Sequence, residues 1–137
     1  MALGAVMEQA VHLTPQPGGV LPVIHLKEKT RLMRIRLLVP YAGVITDYIF
    51  KPCAIRATLP DGSAFFAISG CLQENRRICA RLYEKDVLAM TRVPGQYKCA
   101  LTIVNTNDVI NRENYMDYDI LTVLPFTVIV EPRAKEG

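Results

Sequence analysis

The sequence predicts a small all-β sandwich. Short apolar runs with period-two alternation recur along the chain, Pro, Gly and Asp clusters separate them, and only one stretch has helical spacing. A chain of 137 residues is the size of one domain. Such a domain buries roughly two-thirds of its unfolded surface, which supports a core without disulfide staples.

The elements follow in order. Residues 1–20 end in Pro15-Gln16-Pro17-Gly18-Gly19 and read as an extended N-terminal arm outside the core. The sandwich proper then runs over 21–134. Leu21–Leu26 is a short apolar strand. In Leu32–Val39, Met33, Ile35, Leu37 and Val39 face one way and Arg34 and Arg36 the other, the pattern of a strand with one buried face. Pro40-Tyr41-Ala42-Gly43 turns the chain. Ala54–Leu59 and Ala64–Ile68 form a hairpin around Pro60-Asp61-Gly62, where Pro presets φ, Asp bonds its own backbone and Gly accepts a positive φ.

Arg77–Leu82 sets Ile78, Ala80 and Leu82 against Arg77, Cys79 and Arg81. The period changes at Tyr83–Met90, which reads as one or two helical turns ended by Pro94-Gly95. Gln96–Val104 alternates again, with Tyr97, Cys99, Leu101 and Ile103 on one face. Leu121–Val130 is the last strand. Pro125 within it cannot donate to a ladder and belongs at a bulge or on an edge strand.

The chemistry is sparse. A net charge of +3 with no run of Lys and Arg among aromatics argues against nucleic acid. No apolar run approaches the ~20 residues of a membrane helix, and the start lacks the basic residue and long apolar core of a secretory signal. Folding in a cytoplasm is therefore expected. Cys53, Cys71, Cys79 and Cys99 sit among apolar neighbours at irregular spacing. They read as buried free thiols ahead of one disulfide, for which Cys53 with Cys99 is the first candidate, and well ahead of a metal site. His12 and His25 have no partner at ligand spacing. No nucleophile elbow, phosphate loop or zinc motif is present, so no enzyme and no cofactor are expected.

The segment Asn105–Asp119 is long for a hairpin connection. Its oxygens lack the order and the central Gly of a calcium loop. It carries Val109, Ile110, Tyr115, Met116 and Tyr118 among charges, and these are the candidate partner-contact residues. The alternative is that they fold back to cap the end of the sandwich.

Leu21-Pro22-Val23-Ile24-His25, Leu32–Leu37, the Pro60-Asp61-Gly62 hairpin, Pro94-Gly95-Gln96-Tyr97-Lys98-Cys99 and Leu124-Pro125-Phe126-Thr127-Val128-Ile129-Val130-Glu131 come in a characteristic order. Over about residues 21–134 that order resembles the immunoglobulin-like N-terminal domain of phage baseplate upper proteins. The resemblance implies an immunoglobulin-like antiparallel β-sandwich of about seven strands with one short helical connection. It also implies a structural virion protein of a tailed phage, in the baseplate, tail or head-fibre base, made in the host bacterial cytoplasm and docking onto other virion proteins. The family often continues into a fibre-bearing segment, whereas this chain stops at Arg133-Ala134-Lys135-Glu136-Gly137, and Asn105–Asp119 exceeds the family's usual last hairpin. The apolar arm residues Val6, Met7, Val11 and Leu13 predict packing on neighbouring copies, with a trimer expected. A carbohydrate-binding sandwich that recognises a host receptor is the second reading. The absence of Trp disfavours it, since sugars stack on flat exposed aromatics.

Overall fold

The computed structural model describes residues 5–14, 17–41 and 43–134. Nine strands and one α-helix are present among them: β1 (Met7–His12), β2 (Val23–Lys27), β3 (Met33–Val39), β4 (Pro52–Thr58), β5 (Ala64–Gly70), β6 (Leu72–Glu74), β7 (Arg77–Leu82), α1 (Glu84–Met90), β8 (Gly95–Val104) and β9 (Ile120–Glu131). They form two sheets, ordered β1-β3-β7-β6 and β2-β9-β8-β4-β5. The all-β sandwich expected from the alternation is what the chain builds.

Each sheet turns its apolar face inward. Ile35, Leu37 and Val39 from β3 and Ile78, Ala80 and Leu82 from β7 meet Ile55, Leu101, Phe126 and Val128 of the other sheet in one core. Fully burying a side chain of this kind contributes about 1.5–3 kcal/mol. The helix caps one end of that core with Val87 and Met90. The Tyr83 N–H donates to the Asp86 carboxylate at 3.2 Å, which fixes the start of the helix. Buried Thr91 ends it: its hydroxyl donates to the Val87 carbonyl at 2.8 Å and accepts the Thr30 N–H at 3.0 Å. The helix is thereby tied to the β2–β3 turn.

Three expectations are corrected. Both sheets carry a parallel pair at one edge, β1 with β3 and β2 with β9, so the sandwich is mixed and not wholly antiparallel. Residues 7–13 are not an arm outside the core. Met7–His12 hydrogen-bonds along β3, and Leu13, anchored through its N–H to the Leu38 carbonyl at 2.9 Å, is buried in the main core. Pairing satisfies backbone groups that an extended arm leaves to water. Residues 1–4, Pro15 and Gln16 of the expected arm, and Ala42 of the expected turn, lie outside the described residues. Finally, Cys53 and Cys99 cannot pair. Cys53 stands opposite Ile103 on β8, while Cys99 stands opposite Ala57, four positions along β4. At about 3.3 Å per residue that separation far exceeds disulfide reach. All four thiols are free and buried, and Cys53 has Cys71 as its neighbour.

Pro125 sits within an interior strand, yet where no ladder bond is lost. The Thr127 N–H donates to the Pro22 carbonyl on the β2 side. Backbone groups two residues apart point the same way, so the Pro125 nitrogen also points that way, past the start of β2. The strand is locally an edge there.

Candidate functional site

Two surface features of the five-stranded sheet stand out. The first is the connection 105–119. It closes at its base through the Asn105 N–H to the Asp119 carbonyl at 2.7 Å. Inside it, the Asn111 side chain accepts the N–H groups of Glu113 and Asn114 at 2.9 and 2.8 Å, and the Asn114 side chain accepts the Asn111 N–H at 2.7 Å. These reciprocal bonds make a rigid turn from polar residues that compete with regular structure. The turn swings Ile110 and Tyr115 onto the outer face of the sheet, where they bury Ala54 and Val104 in a second small core with Phe66 and Tyr118 against it.

The five candidate contact residues therefore divide. Ile110 and Tyr115 are buried within the chain, and Tyr118 packs against them while its hydroxyl reaches Asp108 at 3.4 Å. Val109, 90% exposed, and Met116, 57% exposed, are the two that face solvent. The folding-back anticipated as the alternative holds for Ile110 and Tyr115.

The second feature is one the sequence reading missed. The register sets Phe66 of β5, Arg56 of β4, Ala100 of β8 and Pro125 of β9 side by side across the outer face. The next row is Ala64, Thr58, Lys98 and Thr127. The 105–119 turn walls these rows on one side with Tyr115 and Arg112, leaving a groove of about 430 Å³. The Arg112 guanidinium lies 5.4 Å from the Phe66 ring centre, and the Tyr115 ring lies 5.4 Å from it at a tilt of 46°. Three cations, Arg56, Lys98 and Arg112, thus border a groove whose lining holds no carboxylate.

The outer face of the other sheet differs. There Glu8, Arg36, Glu74 and Arg81 neutralise one another, and Arg34 pairs with Glu84. Among the described residues no group of His, Cys, Asp and Glu could hold a metal ion, and no helix is long and apolar enough to cross a membrane.

No protein family matches the chain, and no curated protein matches it. Solved structures do. The N-terminal domain of phage TP901-1 ORF48 aligns with 91% of this chain and 99% of its own, with a TM-score of 0.50 at 8% identity. At that identity the likeness is one of fold.

Proposed function

We propose that this domain is a structural protein of a tailed-phage virion, an immunoglobulin-like assembly module without catalysis of its own. The observation that carries the reading is the fold shared with a phage protein domain along almost the whole length of both chains. The sequence order that resembles baseplate upper proteins points the same way independently. A local detail supports the immunoglobulin-like assignment. The Tyr97 hydroxyl donates to the Val93 carbonyl four residues upstream, the kind of bond the corner tyrosine of such sandwiches makes, although Cys99, two positions on, is a free thiol with no inter-sheet disulfide.

The module docks onto other virion proteins and onto copies of itself. The trimer draws on Val6 and Met7, which stay exposed, because Leu13 and Val11 serve this chain's own core. Immunogold labelling and mass spectrometry of purified particles test the virion reading, with the chain expected at stoichiometric copy number. Its absence from particles overturns the reading. Light scattering at micromolar concentration tests self-association, and a mass near the 15.3 kDa of one chain overturns that part. The second reading, glycan recognition, draws on the aromatic pair Phe66 and Tyr115. However, Arg112 and Tyr115 already occupy the surroundings of the Phe66 ring.

A further inference from the structure

We propose that the groove beside β5, together with the open edge of that strand, receives an acidic β-strand from a protein partner. The inference rests on reading the domain as a protein-assembly module, whichever particle it belongs to. β5 is the last strand of its sheet. The Leu59 N–H donates to the Ser63 carbonyl, and the Cys71 N–H to the Lys51 carbonyl. In the β4–β5 register these two bonds put residues 65, 67 and 69 in the hydrogen-bonded pairs. The N–H and C=O groups of Ala64 and Phe66 consequently point away from β4 to the open side, while the C-terminal end of β5 lies beside β7, whose Arg81 N–H donates to Ser69 Oγ at 3.2 Å.

Edges of this kind are normally blunted with Lys, Pro or a bulge. β5, with the sequence AFFAISG, has no charge, no Pro and no bulge. The other edge strands carry Glu8, Lys27 and Glu74. An unprotected edge is the template for strand addition, in which main-chain bonds give affinity and alternate side chains give specificity.

Charge selects the occupant. Side chains of an added strand on the outer face lie beside Phe66 and Arg112, with Arg56 and Lys98 beyond. None of these three cations has an ion-pair partner among the described residues. Carboxylates at alternate positions of the incoming strand match them. A second copy of β5, which holds no carboxylate, leaves them unpaired. A sugar lacks a bare aromatic face to stack on, and it leaves the edge amides unpaired.

The test uses the full chain and a ten-residue peptide of alternating Glu and Val. Titration calorimetry is expected to show binding that weakens with salt, and hydrogen exchange to show new protection at Ala64 and Phe66. The variant Arg56→Gln/Arg112→Gln is expected to bind roughly tenfold more weakly, the scale of lost charge-assisted bonds. Lys98→Gln provides a second variant at an exposed position. A Lys-Val peptide that binds equally well overturns the charge argument. An N-methylated Glu-Val peptide that binds undiminished overturns strand addition. Binding of polygalacturonate in preference to the peptide overturns the protein occupant. Failure of the peptide alongside a chain found in virions sinks this inference alone. Peptide binding by a chain absent from virions sinks the virion reading alone.

Discussion

Arg36 on β3 and Arg81 on β7 stand directly opposite one another in the antiparallel register, and the Glu74 carboxylate spans both. Like charges facing each other across a ladder are destabilising. Here one oxygen of Glu74 takes Arg36 at 3.0 Å and the other takes Arg81. Glu74 is the last residue of the three-residue strand β6, whose pairing with β7 sets the carboxylate beside Arg81.

Removing the bridge should therefore cost more than an ordinary surface pair. With the Glu74 side chain 23% exposed, solvent screens the repulsion only in part. Glu74→Gln is expected to destabilise the domain by about 1–2 kcal/mol in urea unfolding. Adding Arg81→Met to that variant is expected to recover part of the loss, because one of the opposed charges is gone. No change in the urea midpoint for Glu74→Gln refutes the bridging role.

The turn after β6 offers a gain instead. Asn75 and Arg76 both adopt positive φ, 49° and 64°, as a two-residue hairpin of the type that favours Asn-Gly requires. Arg76 bears a Cβ penalty that Gly does not. Arg76→Gly is expected to raise stability by about 0.5–1 kcal/mol, read as a higher melting temperature. A lower one contradicts the strain argument.

Gly95 is constrained in two ways. Its φ is +141°, and a Cβ there would lie 2.3 Å from Cγ of Pro60 in the neighbouring hairpin turn. Gly95→Ala is expected to cost about 2–4 kcal/mol from backbone strain and overlap together. Pro60→Ala in that background relieves the overlap and leaves the strain, so the double variant should recover only part. Full recovery means that φ carries no cost.

Three of the thiols, Cys53, Cys79 and Cys99, hold their protons more tightly than a free cysteine does. Cys71 as a hydrogen-bonding neighbour, and then burial, hold the Cys53 thiol neutral. Burial pushes Cys79 up to about 11 and Cys99 up to about 12, from 9.0. The folded chain thus holds these protons more tightly than the unfolded one. The corresponding stability is complete below about pH 9 and is lost as pH rises toward 11–12. The urea midpoint should fall over that window, and less steeply in Cys99→Ala. At pH 8 a thiol reagent is expected to find no reactive cysteine in native protein and all four after denaturation. Two or fewer after denaturation would reveal a disulfide, for which Cys53 and Cys71 are the neighbouring pair.

The inner faces of the sandwich were legible because burial there is one-sided. Ile35, Leu37 and Val39 alternate with exposed or half-buried neighbours, and a period of two has no other physical cause. β1 was not legible. Its residues are half-buried at most, and its partner β3 is reached by parallel pairing, which leaves no local turn signal. The groove was only half legible. Arg56 and Lys98 are plain outward strand positions, but Arg112 joins them through the Asn111–Asn114 turn, whose direction no periodicity encodes. The same turn explains why adjacent Val109 and Ile110, alike in polarity, end with opposite exposures.

That divergence gives the 105–119 segment a buried side and an exposed side that substitutions can separate. Ile110 and Tyr115 roof Ala54 and Val104, so truncation opens a cavity in the second small core. Ile110→Ala is expected to cost about 2–5 kcal/mol, as such core truncations do. Val109 and Met116 support nothing inside the chain, so Val109→Asp/Met116→Asp should unfold within about 0.5 kcal/mol of the parent. Exposed apolar residues rimmed by Asp108, Glu113 and Asp117 are the form a protein contact takes. The double variant is therefore expected to lose self-association in light scattering, or incorporation into particles, while melting normally. An unchanged assembly state removes this segment from the contact surface and leaves its role as the wall of the groove. Replacing all of 105–119 with a short turn cannot make that distinction, because it removes the roof and the contact together.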